Sequence, residues 1–180
     1  MVNHIRQLCR DGKRGDKKLL KRLINIIKQK NSEELIVRIQ KLLKDGQYRT
    51  EPLTMAGQSI PHWADVILAT LTRKHRIKNK ELVELLKILD DESVEKIPAL
   101  NIRSSFSALS AYKQILETAN DQIDVMRISV ALPLADMMII DRSKKAALDE
   151  LGLPEKYETE IYSGQSNELN RFITGLENII

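Results

Sequence analysis

The sequence predicts a mixed α/β fold that is mostly helical and carries a small parallel sheet at its C-terminal end. Apolar residues recur at helical spacing through most of the first two thirds of the chain. The apolar run Met137–Ile140 then stands between Asp136 and Asp141. It is too short for a helix and suits a strand that is buried on both faces. A second strand is expected within residues 157–162, and the strand–helix–strand spacing predicts a βαβ unit with parallel strands.

The front of the chain is expected to be helical. Leucine and isoleucine at helical spacing over residues 19–27 predict a first helix. Asn31 or Ser32 can cap a second helix, which Gly46 is placed to end. Residues 47–59, which contain proline and glycine, are expected to be irregular.

Three further helices are expected between Pro61 and the acidic stretch that begins at Asn120. Pro61 suits the first turn of a third helix, and Asn79 can cap a fourth. Residues 90–101 are expected to form a loop around a proline. A fifth helix should then start near Ser104 or Ser105.

Caps and a proline delimit the elements around the sheet. Asn120 or Asp121 can cap the helix that precedes the first strand, and Pro133 should end it. Ser143 can cap the helix between the strands, which Gly152 closes, and a last helix follows the second strand.

The sequence allows more than one domain organisation and more than one size of sheet. Its 180 residues fit one domain or one domain with an appendage, either a basic helical segment 1–50 followed by an α/β domain 51–180 or one continuous domain. A two-stranded sheet is marginal by itself. Either further strands lie within residues 47–54 or 100–106, or part of a larger sheet is missing from this sequence.

Composition narrows the class of protein. An apolar content of 42% predicts a folded chain, and the single cysteine, Cys9, excludes an intrachain disulfide. No apolar run approaches the roughly 18 residues of a transmembrane span, and the basic N-terminus lacks the apolar stretch of a secretory signal. We therefore expect a cytoplasmic protein without a membrane partner. The sequence does not indicate its oligomeric state.

Charge is unevenly distributed. Residues 1–50 hold 14 Lys/Arg against 5 Asp/Glu, whereas the remaining residues hold 15 basic and 20 acidic side chains. Five cations are predicted on one face of the first helix: Arg14, Lys17, Lys18, Lys21 and Arg22. This face could bind the phosphates of RNA, although a solvated helix face has the same pattern.

Four aspartates surround the predicted first strand. Asp141 follows the strand directly, where ligands bind in open α/β sheets. Asp124 lies early in the preceding helix, whose first turn should end near the same edge, and Asp121 lies one helical turn before it. Converging carboxylates without Cys or His partners favour Mg²⁺ or Mn²⁺, with Asp124 and Asp141 as metal ligands.

Structural roles are an alternative explanation for three of these residues. Asp121 can be only a helix cap, Asp136 can be a turn residue after Pro133, and Asp141 can cap the helix that starts near Ser143. Simple strand geometry also puts Asp136 at the opposite end of the strand from Asp141.

The run Ala-Leu-Pro-Leu-Ala-Asp-Met-Met-Ile-Ile-Asp-Arg-Ser, residues 131–143, resembles the C-terminal half of PIN-like nucleases. That family places one Asp early in a helix and another just after a strand, and Asp124 and Asp141 match this pair. The Ala-Leu-Pro stretch resembles a longer PIN-like subgroup that has an additional Asp, here Asp136. The resemblance, which covers roughly residues 98–180, implies Mg²⁺- or Mn²⁺-dependent cleavage of RNA.

The chain departs from the family at its front. The family's first strand, which ends in an Asp, is not found, and its early helical Glu is unassigned, with Glu51, Glu81 and Glu84 as candidates. Two functions are therefore expected as alternatives. The first is a PIN-like endoribonuclease with Asp121, Asp124, Asp136 and Asp141 as catalytic residues. The second is a non-catalytic helical module that binds nucleic acid or a partner protein.

Overall fold

The computed structural model describes residues 16–46, 53–55, 58–60 and 63–177. Its elements follow one another in the order α1 (Lys17–Asp45), β1 (Leu53–Met55), β2 (Gln58–Ile60), α2 (Trp63–Ala69), α3 (Asn79–Glu92), α4 (Pro98–Lys113), α5 (Ala119–Ala131), β3 (Met137–Ile140), α6 (Arg142–Leu151), α7 (Leu153–Tyr157), β4 (Glu160–Ser163) and α8 (Ser166–Glu177). The predicted fold class, mostly helical α/β with a small parallel sheet in the C-terminal part, is confirmed.

Contacts divide the chain into two compact units. The first contains Met1–Ile27 and Ile97–Ile180, and the second contains Lys28–Lys96. This grouping does not coincide with the expected segments 1–50 and 51–180, which stay a prediction about domains.

Helix α4 is the centre of the first unit. Its Ile102 and Phe106 belong to the main apolar core, which also takes side chains from α5, α6, α7 and β4. Its Ala108 packs instead with Leu19 and Leu23 of α1. Residues two apart on a helix point in nearly opposite directions. Helix α4 therefore separates the first turns of α1 from the layer that carries the parallel sheet.

The C-terminal sheet has the predicted parallel form. Strand β3 pairs with β4 in a register that places Ile140 beside Ser163, and α6 and α7 make the connection. The second strand is Glu160–Ser163, later than the expected 157–162, because Tyr157 ends α7. Both strands end at the same edge, so the residue after β3 and the start of α8 lie on one side of the sheet.

Strand β1 lies partly within residues 47–54, where a further strand was one expectation. It pairs antiparallel with β2 in a separate sheet and adds nothing to β3 and β4. The other expected position, residues 100–106, lies inside α4.

The second unit shows why the two predicted front helices are one helix. Asn31 and Ser32 were expected to cap a second helix, but both lie inside α1. The buried Ser32 hydroxyl donates to the carbonyl oxygen of Leu89 at 3.0 Å, so a tertiary contact satisfies the side chain that was expected to break the helix. A second cross-link in this unit joins Arg38 of α1 to Asp65 of α2 at 2.6 Å.

Helix α4 begins earlier than expected, at Pro98 instead of Ser104 or Ser105, because proline suits the first helical position. The hydroxyls of Ser104 and Ser105 donate to carbonyl oxygens one turn back, at 2.7 and 2.9 Å, so both serines lie inside the helix. Likewise, Asn79 is the first residue of α3 and not its cap.

The helix caps around the sheet also differ from the predicted ones. Thr118 caps α5, and Asp121 is the reciprocal partner in the same capping box, so neither Asn120 nor Asp121 is the cap. Asp141 caps α6 in place of Ser143. The expected ends are confirmed, since α5 stops before Pro133 and Gly152 closes α6 in the left-handed conformation.

Candidate metal centre

A cleft of about 380 Å³ lies between α5 and β3. Eight residues line it: Asp124, Arg127, Ile128, Ala131, Met138, Ile139, Ile140 and Asp141. Asp124 and Asp141, the two residues that the sequence predicts as metal ligands, thus face the same cavity from two different elements. The remaining wall is apolar apart from Arg127.

Asp141 is held in place by the helix that it caps. Its Oδ1 accepts hydrogen bonds from the Ser143 and Lys144 main-chain N–H groups at 2.8 and 3.0 Å and from the Ser143 hydroxyl at 2.6 Å. Among the described residues, nothing donates to its Oδ2. Partial burial opposes ionisation of this carboxyl group, but these hydrogen bonds outweigh it and lower the pKa of Asp141. The carboxylate is therefore ionised, with a fixed orientation and one oxygen left for a ligand.

Asp124 is placed one turn into α5, on the face that meets the cleft. Its side chain is 45% exposed, and its ion pair is a loose one to Arg127 at 3.9 Å. Exposed pairs of this kind are weak. The Asp124 carboxylate can therefore exchange Arg127 for another cation at little cost.

Asp121 makes a different set of contacts. Its Oδ2 accepts from the main-chain N–H and hydroxyl of Thr118 at 2.9 and 2.6 Å, and its Oδ1 accepts from the Lys144 ammonium at 2.7 Å. The hydrogen bonds from Lys144 and Thr118 lower the pKa of Asp121 well below its ordinary range. Asp121 does not line the cleft, and both of its oxygens already have partners.

Asp136 lies at the other end of β3 from Asp141, as strand geometry predicts. Its main-chain carbonyl accepts from the N–H of Glu160 at 2.8 Å, next to the first register pair of the sheet. The structure therefore does not bring Asp136 to the cleft that Asp124 and Asp141 share.

The predicted RNA-binding cations lie away from the cleft. Lys17, Lys18, Lys21 and Arg22 are exposed in the first turns of α1, and Arg14 lies outside the described residues. Asp16 caps this helix by accepting from the main-chain N–H of Lys18 at 2.9 Å. Because α4 separates the first turns of α1 from the sheet, the basic side chains and the cleft are carried on different sides of α4.

Sequence reasoning missed two cations near the carboxylates. Arg127 is in the cleft, three residues after Asp124 and therefore on the same helix face. Lys144 bonds to Asp121 and Asp141 together. Arg127 could have been found from its helical spacing to Asp124. Lys144 carries no such signal, since its partner Asp121 belongs to another element.

Among the residues that the structure describes, no group of three or more His, Cys, Asp or Glu side chains is arranged to hold a metal ion, and no helix is long and apolar enough to cross a membrane. Comparison of the chain with protein-family models, with curated proteins and with solved structures finds no match.

Proposed function

We propose that this chain is a Mg²⁺- or Mn²⁺-dependent endoribonuclease of the PIN-like type. The observation that carries the proposal is the shared cleft of Asp124 and Asp141 at the carboxyl end of β3. Ligand sites in open α/β sheets lie at this position relative to the strands. Carboxylates from two elements that face one cavity are the donor set expected for a hard divalent cation.

The donor set fits such an ion. Mg²⁺ keeps several waters and is typically bound by one or two carboxylates together with the phosphates of its substrate. Asp124 and Asp141 would supply the two carboxylates, since Asp141 has an oxygen to spare and Asp124 is only loosely paired. When bound, the cation would supply Lewis-acid chemistry, lowering the pKa of water and neutralising phosphodiester charge.

The other residues of the cleft have roles that follow from their chemistry. Arg127 can donate to a phosphate oxygen, for which a guanidinium is well suited. The N-terminus of α6 adds a favourable potential for phosphate beside Asp141. Ile139 and Ile140 give the cleft an apolar wall, which would exclude water from one side of the bound RNA.

Cleavage of labelled single-stranded RNA tests the proposal. The wild-type chain should cut in Mg²⁺ or Mn²⁺ and stop in excess chelator, and Asp141→Asn and Asp124→Asn should each remove the activity. Asp149→Asn is the matched control, because Asp149 is an exposed aspartate of the same helix α6 outside the cleft. A wild-type chain that leaves RNA intact with both metals, or an active Asp141→Asn chain, contradicts the proposal.

A second candidate function rests on the cations of α1. Lys17, Lys18, Lys21 and Arg22 are exposed, and none has an ion-pair partner among the described residues. A non-catalytic RNA-binding module would use this face. RNA binding that weakens steeply with salt, falls on removal of these four charges and is unaffected by Asp141→Asn would favour this function.

A further inference from the structure

Lys144 joins the two helix N-termini that carry the carboxylates. Its main-chain N–H donates to Oδ1 of Asp141 at 3.0 Å, and its ammonium donates to Oδ1 of Asp121 at 2.7 Å. Asp121 lies in the first turn of α5, and Asp124 follows it in the next turn. One residue thus connects the start of α6 to the start of α5.

We propose that Lys144 is a positioning residue that sets the separation of Asp124 and Asp141 and so the affinity of the cleft for a divalent cation. This inference rests on the proposed function. Lys144 itself does not line the cleft and would act through the carboxylates. In this proposal the ion pair with Lys144 makes Asp121 an anchor of α5, and Asp124 and Asp141 supply the ligands.

The surroundings of Lys144 favour a fixed bridge over a fluctuating surface pair. Its side chain is only 13% exposed, whereas that of Asp121 is 37% exposed. The far side of the Asp121 carboxylate is held by Thr118 through two hydrogen bonds. Anchoring at both ends limits the freedom that makes ordinary surface ion pairs weak.

A purely electrostatic role and a positioning role of Lys144 predict opposite changes in cation affinity when its side chain is replaced. Removal of a positive charge beside two carboxylates should strengthen the binding of a cation. Loss of a group that orients ligands should weaken it, typically 10- to 100-fold for residues behind a metal site. The sign of the change in Mn²⁺ affinity therefore separates the two roles of Lys144.

The experiment is a calorimetric titration of the full chain with Mn²⁺ alone, in wild type, Lys144→Met, Lys144→Arg and Asp121→Asn. Lys113→Met is the matched control. Lys113 pairs with Glu150 and joins α4 to α6, so its loss removes an inter-helix ion pair from the same α6 away from the cleft. Circular dichroism and urea denaturation establish that each variant is folded.

We expect Lys144→Met to weaken Mn²⁺ binding about tenfold or more. Lys144→Arg should restore affinity to near the wild-type value, and Lys113→Met should bind as the wild type does. Asp121→Asn should reproduce the loss, and the double variant Asp121→Asn with Lys144→Met should lose little more, because both changes break one contact.

Equal or tighter Mn²⁺ binding in folded Lys144→Met overturns the positioning role and leaves the proposed function intact. A Lys113→Met variant that loses as much affinity also overturns it, because the effect would then be general loosening of α6. Absence of Mn²⁺ binding to the wild type is a different result, which contradicts the proposed function and the role of Lys144 together.

Discussion

Asp124 and Asp141 line one cleft although the first is a helical residue of α5 and the second is the N-cap of α6. Strand β3 makes this meeting possible, since α5 feeds the strand and Asp141 follows its last residue. The two carboxylates differ in their constraints. Asp141 is held by three hydrogen bonds, whereas Asp124 has a single loose ion pair.

The capping box of α5 gives a stability prediction. Thr118→Ala removes the hydroxyl that accepts from the Asp121 N–H and donates to the Asp121 carboxylate. We expect a loss of about 1 kcal/mol in the free energy of unfolding, measured by urea denaturation. Ser107→Ala is the control, because Ser107 is exposed inside α4 and should change stability little. Equal losses in the two variants would rule out the capping role.

The low pKa of Asp121 predicts a pH dependence. A carboxyl group whose pKa is lower in the folded than in the unfolded state stabilises the fold above its unfolded pKa, near 4. This contribution is lost as the pH falls below about 5 toward the folded pKa. We expect the stability of Asp121→Asn, followed by urea denaturation, to fall less steeply with acid than that of the wild type. Identical slopes would contradict the pairing of Asp121 with Lys144 and Thr118.

In the second unit, the Arg38–Asp65 pair predicts a large effect of a single substitution. The two side chains are 4% and 12% exposed. Asp65→Asn leaves the buried guanidinium with Glu34 as its remaining carboxylate partner and should destabilise the chain by about 3 kcal/mol. Glu92→Gln breaks the exposed Lys96–Glu92 pair and should cost no more than about 0.5 kcal/mol. Comparable losses in the two denaturation curves would contradict the burial of the Arg38 pair.

The packing of α8 against Met137 predicts that the effect of Gly175→Ala on stability depends on the residue at position 137. A Cβ at Gly175 would come within 2.4 Å of the Met137 methyl group. Gly175→Ala therefore sets a gain in helix propensity of about 1 kcal/mol against displacement of that methyl group. In a Met137→Ala background the clash is absent, and the same substitution should stabilise by about 1 kcal/mol. A double-mutant cycle by urea denaturation measures the difference, and full additivity would show that Gly175 and Met137 do not touch.

The C-terminal sheet could be predicted from local sequence because its signals are local. The apolar run Met137–Ile140 between two aspartates marks a strand, and Pro133 and Gly152 mark helix ends. These features require no knowledge of distant residues. The same local reasoning predicted that Asp124 and Asp141 lie near each other, and the structure places both along one cleft.

The features that sequence reasoning missed depend on tertiary contacts. Ser32 looked like a helix cap but lies within α1, with its hydroxyl bonded to a carbonyl of α3. Asp121 was expected to be a catalytic residue or a helix cap, and its carboxylate accepts a hydrogen bond from Lys144 of α6. Both partners are distant in sequence, and no local pattern identifies them. The roles of the four predicted aspartates and of the basic face of α1 stay predictions.

The most direct test of a metal site at Asp124 and Asp141 is Mn²⁺ binding, measured for the wild type, Asp124→Asn, Asp141→Asn and the double variant. The electron paramagnetic resonance signal of Mn²⁺ measures the free ion in solution, and the bound fraction follows by difference. We predict one ion per chain, a loss of affinity of at least about tenfold in each single variant, and a larger loss in the double variant, because each carboxylate supplies a ligand to the same ion. Wild-type affinity in Asp141→Asn, or no bound ion in the wild type, would contradict a metal site at Asp124 and Asp141.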